Sequence, residues 1–454
     1  MKAKSEKPKA TIFTERGTTR DFLFTPPAAS LEDLTSASAG AGKSETVWQA
    51  FPDVLRGDEF IRHAMEQVGH MTCFSAMLIR LDGDQRALNS DGNGNNLLKL
   101  ADVGRVVNGL CKRENGTWGA MDGESLGCFF PGKNDADALH LAQDIQRQVR
   151  ERSNGSVSIG VAAYPTGEYK KAQIIENARK ALTHASFFGA DSRVLFDAVS
   201  LNISGDERYQ KGDVSGAIDE LKNALKLDPE NTNVLNSLGV CYGVSGDLDR
   251  ALVAFRKAIQ KDPNEVMALY NAGYVKAMLK ETEDALTYYQ KAEAVDEDVF
   301  EVIFQLGKLY LEQKNLAAAK TYLEKAVRLQ PESWIAYFHL AECCEALGVI
   351  DEAVAHYETA VKKNPADACA LSALGSLYDE KAENPEISTL FCEKACEISP
   401  DNGLFQFRLG RVYARQGQPE KALSAFRRAE SLGYQAEADV AVAQSEIREE
   451  VGDR

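Results

Sequence analysis

Two spacings of apolar residues divide the chain into two parts. Up to about residue 197, short runs rich in β-branched residues alternate with segments whose apolar residues recur every three or four positions. This alternation predicts strands and amphipathic helices in turn. From about Leu201 to Tyr434, apolar and small residues keep a helical spacing inside a longer period of 34 residues. The chain is therefore predicted to contain an α+β domain followed by an all-α repeat region.

The first part is predicted to fold in the order β-α-β-β-α-β-α-β, as a mixed sheet with helices packed on it. Its clearest strand is Ser156–Pro165, because the sequence SVSIGVAAYP carries β-branched residues and ends at a proline. The other predicted elements are, in chain order, a strand at Cys73–Leu81, a helix at about Asn95–Lys112, a hairpin around Trp118–Phe130, a helix at Ala136–Arg152, a helix from Tyr169 to about Phe188 and a strand at Arg193–Phe196.

The second part is predicted to repeat as pairs of helices. A small residue opens the second helix of each pair at 34-residue steps, at Ala217, Ala251, Ala285, Ala319 and Ala353, and again, after a one-residue insertion, at Ala422. The first helices carry Leu-Gly and then Tyr three residues later, as in Leu238-Gly239…Tyr242. Loop prolines keep the same step at Pro229, Pro263, Pro331, Pro365 and Pro400. Small residues let paired helices approach closely, and each pair buries its apolar face only against its neighbours.

These motifs resemble the tetratricopeptide repeat (TPR) family over about 235 residues, in seven units. The resemblance implies an all-α solenoid of seven helix pairs at 198–434, followed by a C-terminal capping helix and tail at 435–454. It also implies a concave groove, lined by the first helix of each pair, in which family members bind peptides or partner proteins. The sixth unit departs from the pattern at Glu383-Asn384-Pro385, near its inter-helix turn.

The TPR resemblance places aromatic, methionine and basic residues in this groove. They are Met267, Tyr270, Tyr274, Met278, Phe304, Lys308, Phe338, Phe407, Arg411 and Arg415. TPR domains that clamp a C-terminal carboxylate use clustered Lys, Asn and Arg, whereas the middle of this groove is aromatic and rich in Met. The expected partner is therefore a protein or peptide that offers an apolar segment or an amphipathic helix. The alternative for each of these side chains is packing into the neighbouring unit.

Composition limits the classes of binding partner and the cellular compartment that the sequence predicts. With 44% hydrophobic and 26% charged residues and a formal net charge of −16, the chain is predicted to be globular and to bind neither nucleic acid nor an anionic membrane. No apolar run approaches the ~20 residues of a membrane helix, and the N-terminal residues lack the apolar core of a secretory signal. Nine scattered cysteines favour free thiols in the cytoplasm. Neither Cys343-Cys344 nor Cys392/Cys396 has four ligands at metal-site spacing, so neither a metal nor a cofactor is expected.

The first part resembles a second family. Its element order, the strand Ser158-Ile159-Gly160-Val161-Ala162 and the loop Phe130-Pro131-Gly132 are similar to the GGDEF (diguanylate cyclase) domain, roughly from Asp53 to Asp197. The resemblance implies a bacterial signalling context and a reaction that joins two GTP molecules into cyclic di-GMP. That reaction needs a divalent metal held by carboxylates and a hairpin tight enough to approach phosphates.

Most of the residues that would perform this chemistry are replaced. Counting back from Pro131-Gly132 places the family's signature hairpin on a degenerate sequence, Asp122, Gly123, Glu124, Ser125 and Leu126. The two metal carboxylates implied by the resemblance fall on Arg80 and Ser125, and Asp122 adds negative charge where a triphosphate would lie. The domain is therefore predicted to be an inactive GGDEF-like domain rather than an enzyme.

Three residues keep nucleotide binding open. Arg80 and Arg113 are cations in the pocket that the resemblance implies, and Asn95 falls where the family has an Asp that contacts guanine. Arg113 is also half of the family's inhibitory product site, whose second position here is Gly116. For Arg80 the simpler expectation is an ion pair with Asp82 or Glu124.

A literal Gly-Asp-Glu-Phe occurs at Gly57–Phe60, before the first predicted strand and on a predicted helix. In the family that place precedes the active-site elements. Phe60 is therefore expected to be an ordinary core contact, and Asp58 and Glu59 are expected to be solvated charges on the helix surface.

The preferred hypothesis is a non-catalytic cytoplasmic scaffold or adaptor. Its segments are predicted as a flexible tail at 1–45, the degenerate GGDEF-like domain at 46–197, the TPR units and the C-terminal helix. The TPR groove would bind the partner, and the GGDEF-like domain would serve as a docking or sensing module. The first alternative is a receptor for cyclic di-GMP or GTP that couples nucleotide binding to partner binding, and the second is an active diguanylate cyclase.

Overall fold

The computed structural model describes residues 51–83, 93–122, 125–153, 155–382 and 384–452. The predicted tail at 1–45 lies outside them, as do Gly123 and Glu124 of the predicted hairpin, and only the backbone of Asn95 is described. The described residues form two compact bodies that divide between Val275 and Lys276.

The first body begins with a five-stranded mixed sheet and its helices. In chain order the elements are α1 (Gly57–Val68), β1 (Phe74–Leu81), α2 (Asn93–Glu114), β2 (Thr117–Ala120), β3 (Ser125–Pro131), α3 (Asp135–Ser153), β4 (Val157–Tyr164), α4 (Ile174–Ala185) and β5 (Arg193–Leu195). From β1 onward this is the predicted order β-α-β-β-α-β-α-β, which is thereby confirmed. Single 3-10 turns at Lys171–Gln173 and Ser186–Phe188 flank α4.

The strands lie in the spatial order β2-β3-β1-β4-β5. The central strand β1 pairs antiparallel with β3 on one side and with β4 on the other, and β5 pairs parallel with β4. This register places Arg80, near the end of β1, between Ser125 of β3 and Ser158 of β4.

Helices cover both faces of the sheet. Since side chains alternate between the faces along each strand, successive residues of β1 belong to different cores. Phe74, Ala76 and Leu78 of β1 belong to a core that includes residues of α1 and α4. The intervening Met77 and Ile79 belong to a second core, built with α2 and α3. From Phe74 to Ile79 every position of the central strand is thus buried, whereas Leu81 at its end is partly buried.

The first body continues into the helical part without a break in its core. The helices that follow are α5 (Ala198–Gln210), α6 (Val214–Leu227), α7 (Thr232–Val244), α8 (Leu248–Lys261) and α9 (Val266–Met278), of which the first body contains α9 up to Val275. The core beneath α4 extends from Ala181 to Leu201 on α5 and Leu221 on α6. The α/β domain and the first helix pair therefore share one hydrophobic core.

An ion pair lies across this shared core. Lys180 Nζ on α4 donates to both carboxylate oxygens of Glu220 on α6, at 2.7 and 2.9 Å. The two side chains are only 14% and 12% exposed. Arg208 Nε lies 3.5 Å from the same carboxylate. A second pair between the same parts of the chain, Lys226 with Glu168 at 3.0 Å, is mostly exposed, at 56% and 80%.

The second body consists of helices. They are the end of α9, α10 (Thr282–Val295), α11 (Phe300–Glu312), α12 (Leu316–Leu329), α13 (Trp334–Ala346), α14 (Ile350–Lys363), α15 (Ala368–Glu380), α16 (Pro385–Ile398), α17 (Gly403–Arg415), α18 (Pro419–Ser431) and α19 (Glu437–Gly452). In chain order α5 to α18 make seven pairs, and α19 follows them, which confirms the predicted count of pairs. None of the described helices combines the length and apolar character needed to cross a membrane.

The sequence motifs of the pairs have local structural causes. A side chain on Gly239, in a Leu-Gly motif, would place its Cβ 2.4 Å from the ring of Phe255, so the glycine lets α7 and α8 approach closely. The turn between the two helices of a pair contains a residue in the left-handed conformation, which glycine adopts without strain. In the sixth pair Ala382 and Asn384 both take positive φ, and Pro385 occupies the first turn of α16, so this pair does have a distinct turn.

Candidate binding surfaces and the altered hairpin

The predicted binding residues of the first body lie on α9. Met267 and Tyr274 are partly exposed, and the rings of Tyr270 and Tyr274 lie 6.2 Å apart. Tyr270 itself is only 3% exposed. The prediction that Tyr270 offers contact surface is therefore corrected, because the fold covers this residue.

A row of buried polar residues in the first body was not predicted. It comprises Asn202 and Asp206 on α5, Asn236 and Ser237 on α7, and Asn271 on α9, all less than one-tenth exposed. Asn271 Nδ2 donates to Asn236 Oδ1 at 3.0 Å, and Asn202 Nδ2 donates to Asp206 Oδ2 at 3.3 Å. Burial, more than the neighbouring charge of Glu207, raises the pKa of the Asp206 carboxyl to about 7. The only sequence signal was the 34-residue step from Asn202 to Asn236.

In the second body, Phe304 and Phe338 belong to a group of rings on two first helices. We call Phe300, Phe304, Phe338 and His339 the aromatic strip. Phe304 stacks on Phe300 at 5.7 Å and lies 5.6 Å from His339, whose ring in turn meets Phe338 edge-on at 5.3 Å. The rings of Phe304, Phe338 and His339 are each partly exposed. The strip thus presents connected aromatic surface held by α11 and α13.

Polar groups border the aromatic strip. The Glu342 carboxylate lies 2.7 Å from His339 Nδ1, one turn further along α13. Lys308, on α11, lies 3.9 Å from Glu312 and its side chain is 41% exposed. Met278, at the end of α9, is 45% exposed. An apolar centre with charged groups at its edge is the usual anatomy of a protein-binding surface.

The predicted residues of the seventh pair are largely engaged. Phe407 packs against Phe426 and Tyr434, with ring centroids 5.7 and 4.8 Å away. Arg411 lies 3.7 Å from Glu380, and Arg415 lies 3.0 Å from Asp379. Both guanidinium groups are therefore paired within the protein, although their side chains are 38% and 43% exposed. Phe407 is partly buried and packs against the core of the last two pairs.

The hairpin between β2 and β3 holds the degenerate signature. The backbone N–H and the hydroxyl of Ser125 both donate to the Asp122 carboxylate, at 2.7 and 2.6 Å. Leu126 is fully buried in the core between the sheet and α2. Ser125 lies opposite Arg80 across the strands. Where the resemblance implies two metal carboxylates, the structure therefore places a guanidinium and a hydroxyl.

Arg80 does not pair with Asp82 as expected. The Asp82 carboxylate accepts hydrogen bonds from Ser158 Oγ at 2.6 Å and from the backbone N–H of Asp191 at 2.7 Å. These bonds satisfy Asp82 as an anchor between β1, β4 and the loop before β5. Arg80 makes no ion pair with any residue that the structure describes, and Glu124 lies outside those residues.

The second nucleotide-binding candidate is engaged within the domain. Arg113 lies 3.1 Å from Glu114 and 3.6 Å from Asp144. At Gly116, the expected position of its partner, a Cβ would lie 2.7 Å from the ring of Phe130 and 2.9 Å from a backbone oxygen. An acidic side chain at residue 116 therefore has no room, so the inhibitory product site cannot be completed there.

A cavity of about 630 Å³ lies elsewhere on the α/β domain. Its lining comes from α3 and from the segment around β5, and it includes His140, Phe188 and Arg193. Neither Arg80 nor Arg113 lines it. The residues predicted to bind a nucleotide are thus not gathered around this cavity.

The literal Gly-Asp-Glu-Phe begins α1, as predicted. Phe60 is fully buried and meets Phe129 edge-on at 5.8 Å. Asp58 and Glu59 are exposed in the first turn of the helix. The interpretation of this segment as a core contact with two solvated charges is confirmed.

Comparison with protein families identifies the helical part of the chain. Models described as tetratricopeptide repeat or TPR repeat match residues 205–243, 242–298, 304–368 and 391–424. The helical part therefore contains a tetratricopeptide repeat array. All of these matches lie C-terminal to β5, so the GGDEF resemblance of the α/β domain stays a prediction.

Solved structures include several with similarity to the array. A tetratricopeptide repeat protein from Parabacteroides merdae is 23% identical, covering 55% of this chain and 97% of its own, with a TM-score of 0.41. YrrB, described as a TPR protein with an unusual peptide-binding site, is 24% identical over 41% of this chain and 95% of its own, with a TM-score of 0.37. MamA is 30% identical over 36% and 94% of the two chains, with a TM-score of 0.33. A comparison with curated proteins gives no match.

Proposed function

We propose that this protein is a non-catalytic scaffold or adaptor whose TPR array binds a partner protein or peptide. The observation that carries the proposal is the aromatic strip, in which Phe304 and Phe338 are partly exposed on neighbouring first helices. Buried aromatic anchors dominate the binding energy of many protein interfaces. The partner would therefore offer an apolar segment or an amphipathic helix to the strip.

In this proposal the α/β domain is a degenerate GGDEF-like module that docks or senses rather than catalyses. Support comes from the Arg80 guanidinium at one expected metal-ligand position and from Ser125, bonded to Asp122, at the other. Transfer of a phosphoryl or nucleotidyl group depends on metal and electrostatic terms that these residues do not supply. The receptor alternative is not carried forward, because Arg113 is already paired with Glu114 and Asp144. The proposed setting is the cytoplasm, as the cysteine pattern favours.

The test uses peptides selected by display on the purified full chain. Two variants, Phe304→Ala and Phe338→Ala, alter the strip, and Phe188→Ala is the matched control, because Phe188 is a 58% exposed aromatic residue of the α/β domain. We expect each strip variant to weaken the selected peptides by roughly 30-fold, or about 2 kcal/mol, as hot-spot residues do. The control should bind as the wild type does.

Calorimetry with the wild type and the three variants gives the affinities, and circular dichroism checks that each variant is folded. Equal binding by wild type and both strip variants would contradict the proposal. In parallel, cyclic di-GMP and GTP with Mg²⁺ are titrated and checked for product. Turnover of GTP would refute the non-catalytic assignment, whereas binding without turnover would revive the receptor alternative.

A further inference from the structure

Three potential metal ligands of different types meet on the fifth helix pair. Cys344 lies near the end of α13, and Glu352 and His356 lie one turn apart at the start of α14. The Cys344 Sγ, a Glu352 carboxylate oxygen and a His356 ring nitrogen all lie within 4.8 Å of one another. Thiolate, carboxylate and imidazole are the three ligand types that proteins use for zinc.

The geometry of this group suits a tetrahedral ion. Zinc–ligand distances of about 2.0–2.3 Å place neighbouring ligand atoms about 3.5 Å apart in a tetrahedral site. Cys344 Sγ already lies 3.7 Å from Glu352 Oε2. Glu352 and His356 are four residues apart on one helix, a spacing that points both side chains the same way. Small rotations of side chains would thus bring the three ligand atoms around one cation.

The Glu352 carboxylate is already paired with a lysine. Lys320 Nζ on α12 lies 2.6 Å from Glu352 Oε2 and 4.0 Å from Glu324, which is one turn away on the same helix. Lys320 is 27% exposed, so it has room to move. When a metal ion binds Glu352, the ammonium group can transfer its pairing to Glu324. The structure thus provides both an attraction for positive charge and an alternative partner for the displaced lysine.

From these contacts we propose that Cys344, Glu352 and His356 bind one divalent transition-metal ion of the zinc type. Three protein ligands leave the fourth tetrahedral position open to water or to a side chain of a bound partner. Binding joins α13 to α14, and the Cys344 thiol releases its proton to solvent as it coordinates. The sequence did not predict this site. Glu352 and His356 follow Cys344 by eight and twelve residues, and the turn between two helices separates them from it.

Cobalt is the probe, because Co²⁺ bound by a thiolate gives a charge-transfer band in the near ultraviolet. The full chain is reduced, stripped of metal by a chelator and titrated with Co²⁺, and then with Zn²⁺ as competitor. We expect one equivalent of Co²⁺ to bind with this band and to be displaced by Zn²⁺, which thiolate ligands favour.

Neighbouring residues supply matched controls for two ligands. Cys344→Ser should abolish the band, whereas Cys343→Ser should keep it, because Cys343 Sγ points to the backbone oxygen of Leu316 at 3.4 Å. Glu352→Gln should weaken binding, whereas Asp351→Asn should not, because Asp351 is 88% exposed and pairs with Lys381. The ligand losses should exceed the roughly 10- to 100-fold that removal of an outer-shell partner causes. Lys320→Met should raise the affinity by about tenfold, because a nearby positive charge is removed.

Glu352 is exposed, so Glu352→Gln tests the site without disturbing the core, should Cys344→Ser fail to fold. Circular dichroism on each variant distinguishes the loss of a metal ligand from the loss of the fold. The proposal is overturned if Co²⁺ does not bind with one-to-one stoichiometry. It is also overturned if the band persists in Cys344→Ser, if Cys343→Ser removes it equally, or if Glu352→Gln binds Co²⁺ as tightly as Asp351→Asn.

Discussion

The ion pair between Lys180 and Glu220 allows a quantitative test of the shared core. Replacing Glu220 with Gln leaves the Lys180 ammonium, which is 14% exposed, without its charged partner. Breaking a fully buried pair in this way destabilises a protein by about 3–5 kcal/mol. Since both side chains keep a little solvent contact, we expect Glu220→Gln to lower the local free energy of unfolding by about 2–3 kcal/mol.

The reverse replacement should cost less. In Lys180→Met the Glu220 carboxylate keeps Arg208, whose Nε lies 3.5 Å away. The methionine also retains the apolar part of the lysine side chain. We therefore expect a loss of about 1 kcal/mol for Lys180→Met and a coupling energy of about 1–2 kcal/mol in the double variant. The larger loss expected for Glu220→Gln than for Lys180→Met follows from the position of Arg208 beside Glu220.

Hydrogen exchange of the amides in α4 and α6 measures the local opening free energy on both sides of the pair. Glu168→Gln is the control, because its pair with Lys226 joins the same parts of the chain but is mostly exposed. An exposed pair contributes about 0–1 kcal/mol. If Glu220→Gln and Glu168→Gln differ by less than about 0.5 kcal/mol, the assignment of a buried pair across the shared core is refuted.

Three further predictions concern Asp206, two glycines, and the pair Arg80 and Ser125. Because the folded-state pKa of Asp206 is raised to about 7, the native state binds a proton that the unfolded state has lost above pH 4, so stability should fall from pH 4 to pH 7. Asp206→Asn should remove this fall, making the variant more stable than wild type at pH 8 by about 3–4 kcal/mol but not at pH 4, as measured by urea unfolding. Gly239→Ala should destabilise by about 1–3 kcal/mol because its methyl group meets a facing ring, whereas Gly109→Ala, in open space on α2, should stabilise by up to about 1 kcal/mol; equal thermal midpoints would contradict this. Arg80→Asp combined with Ser125→Glu should still yield no cyclic di-GMP from GTP with Mg²⁺ by chromatography, since Ser125→Glu loses the hydroxyl that caps the Asp122 carboxylate and adds a second negative charge beside it.

The sequence predicted the elements well because their signals are local. The strand at Val157–Tyr164 follows from β-branched residues before a proline, and the helix pairs follow from a period that repeats seven times. The position of Phe60 in the core was predicted from the GGDEF resemblance, which places this segment before the active-site elements. The strand and the helix pairs needed only the spacing of residues along the chain.

The sequence predicted side-chain environments less well because these depend on contacts between elements. A 34-residue period places Tyr270 on a first helix but does not reveal that its ring is covered. Asp82 seemed a natural partner for Arg80 two residues away, yet Ser158 and Asp191 approach it from distant parts of the chain. The meeting of Cys344 with His356 likewise depends on the rotation of two helices about their axes, which spacing alone does not fix.

The core shared by the sheet and the first helix pair decides where a working fragment of this protein can begin. A helical repeat at the end of an array needs a polar outer face to remain soluble. In this chain the outer side of the first pair is instead apolar, and α4 covers it through Ala181 packed with Leu201 and Leu221. A fragment that starts at α5 would expose this surface to water and aggregate. The α/β domain therefore covers the N-terminal end of the array. The smallest foldable unit that retains the first repeat must include the sheet.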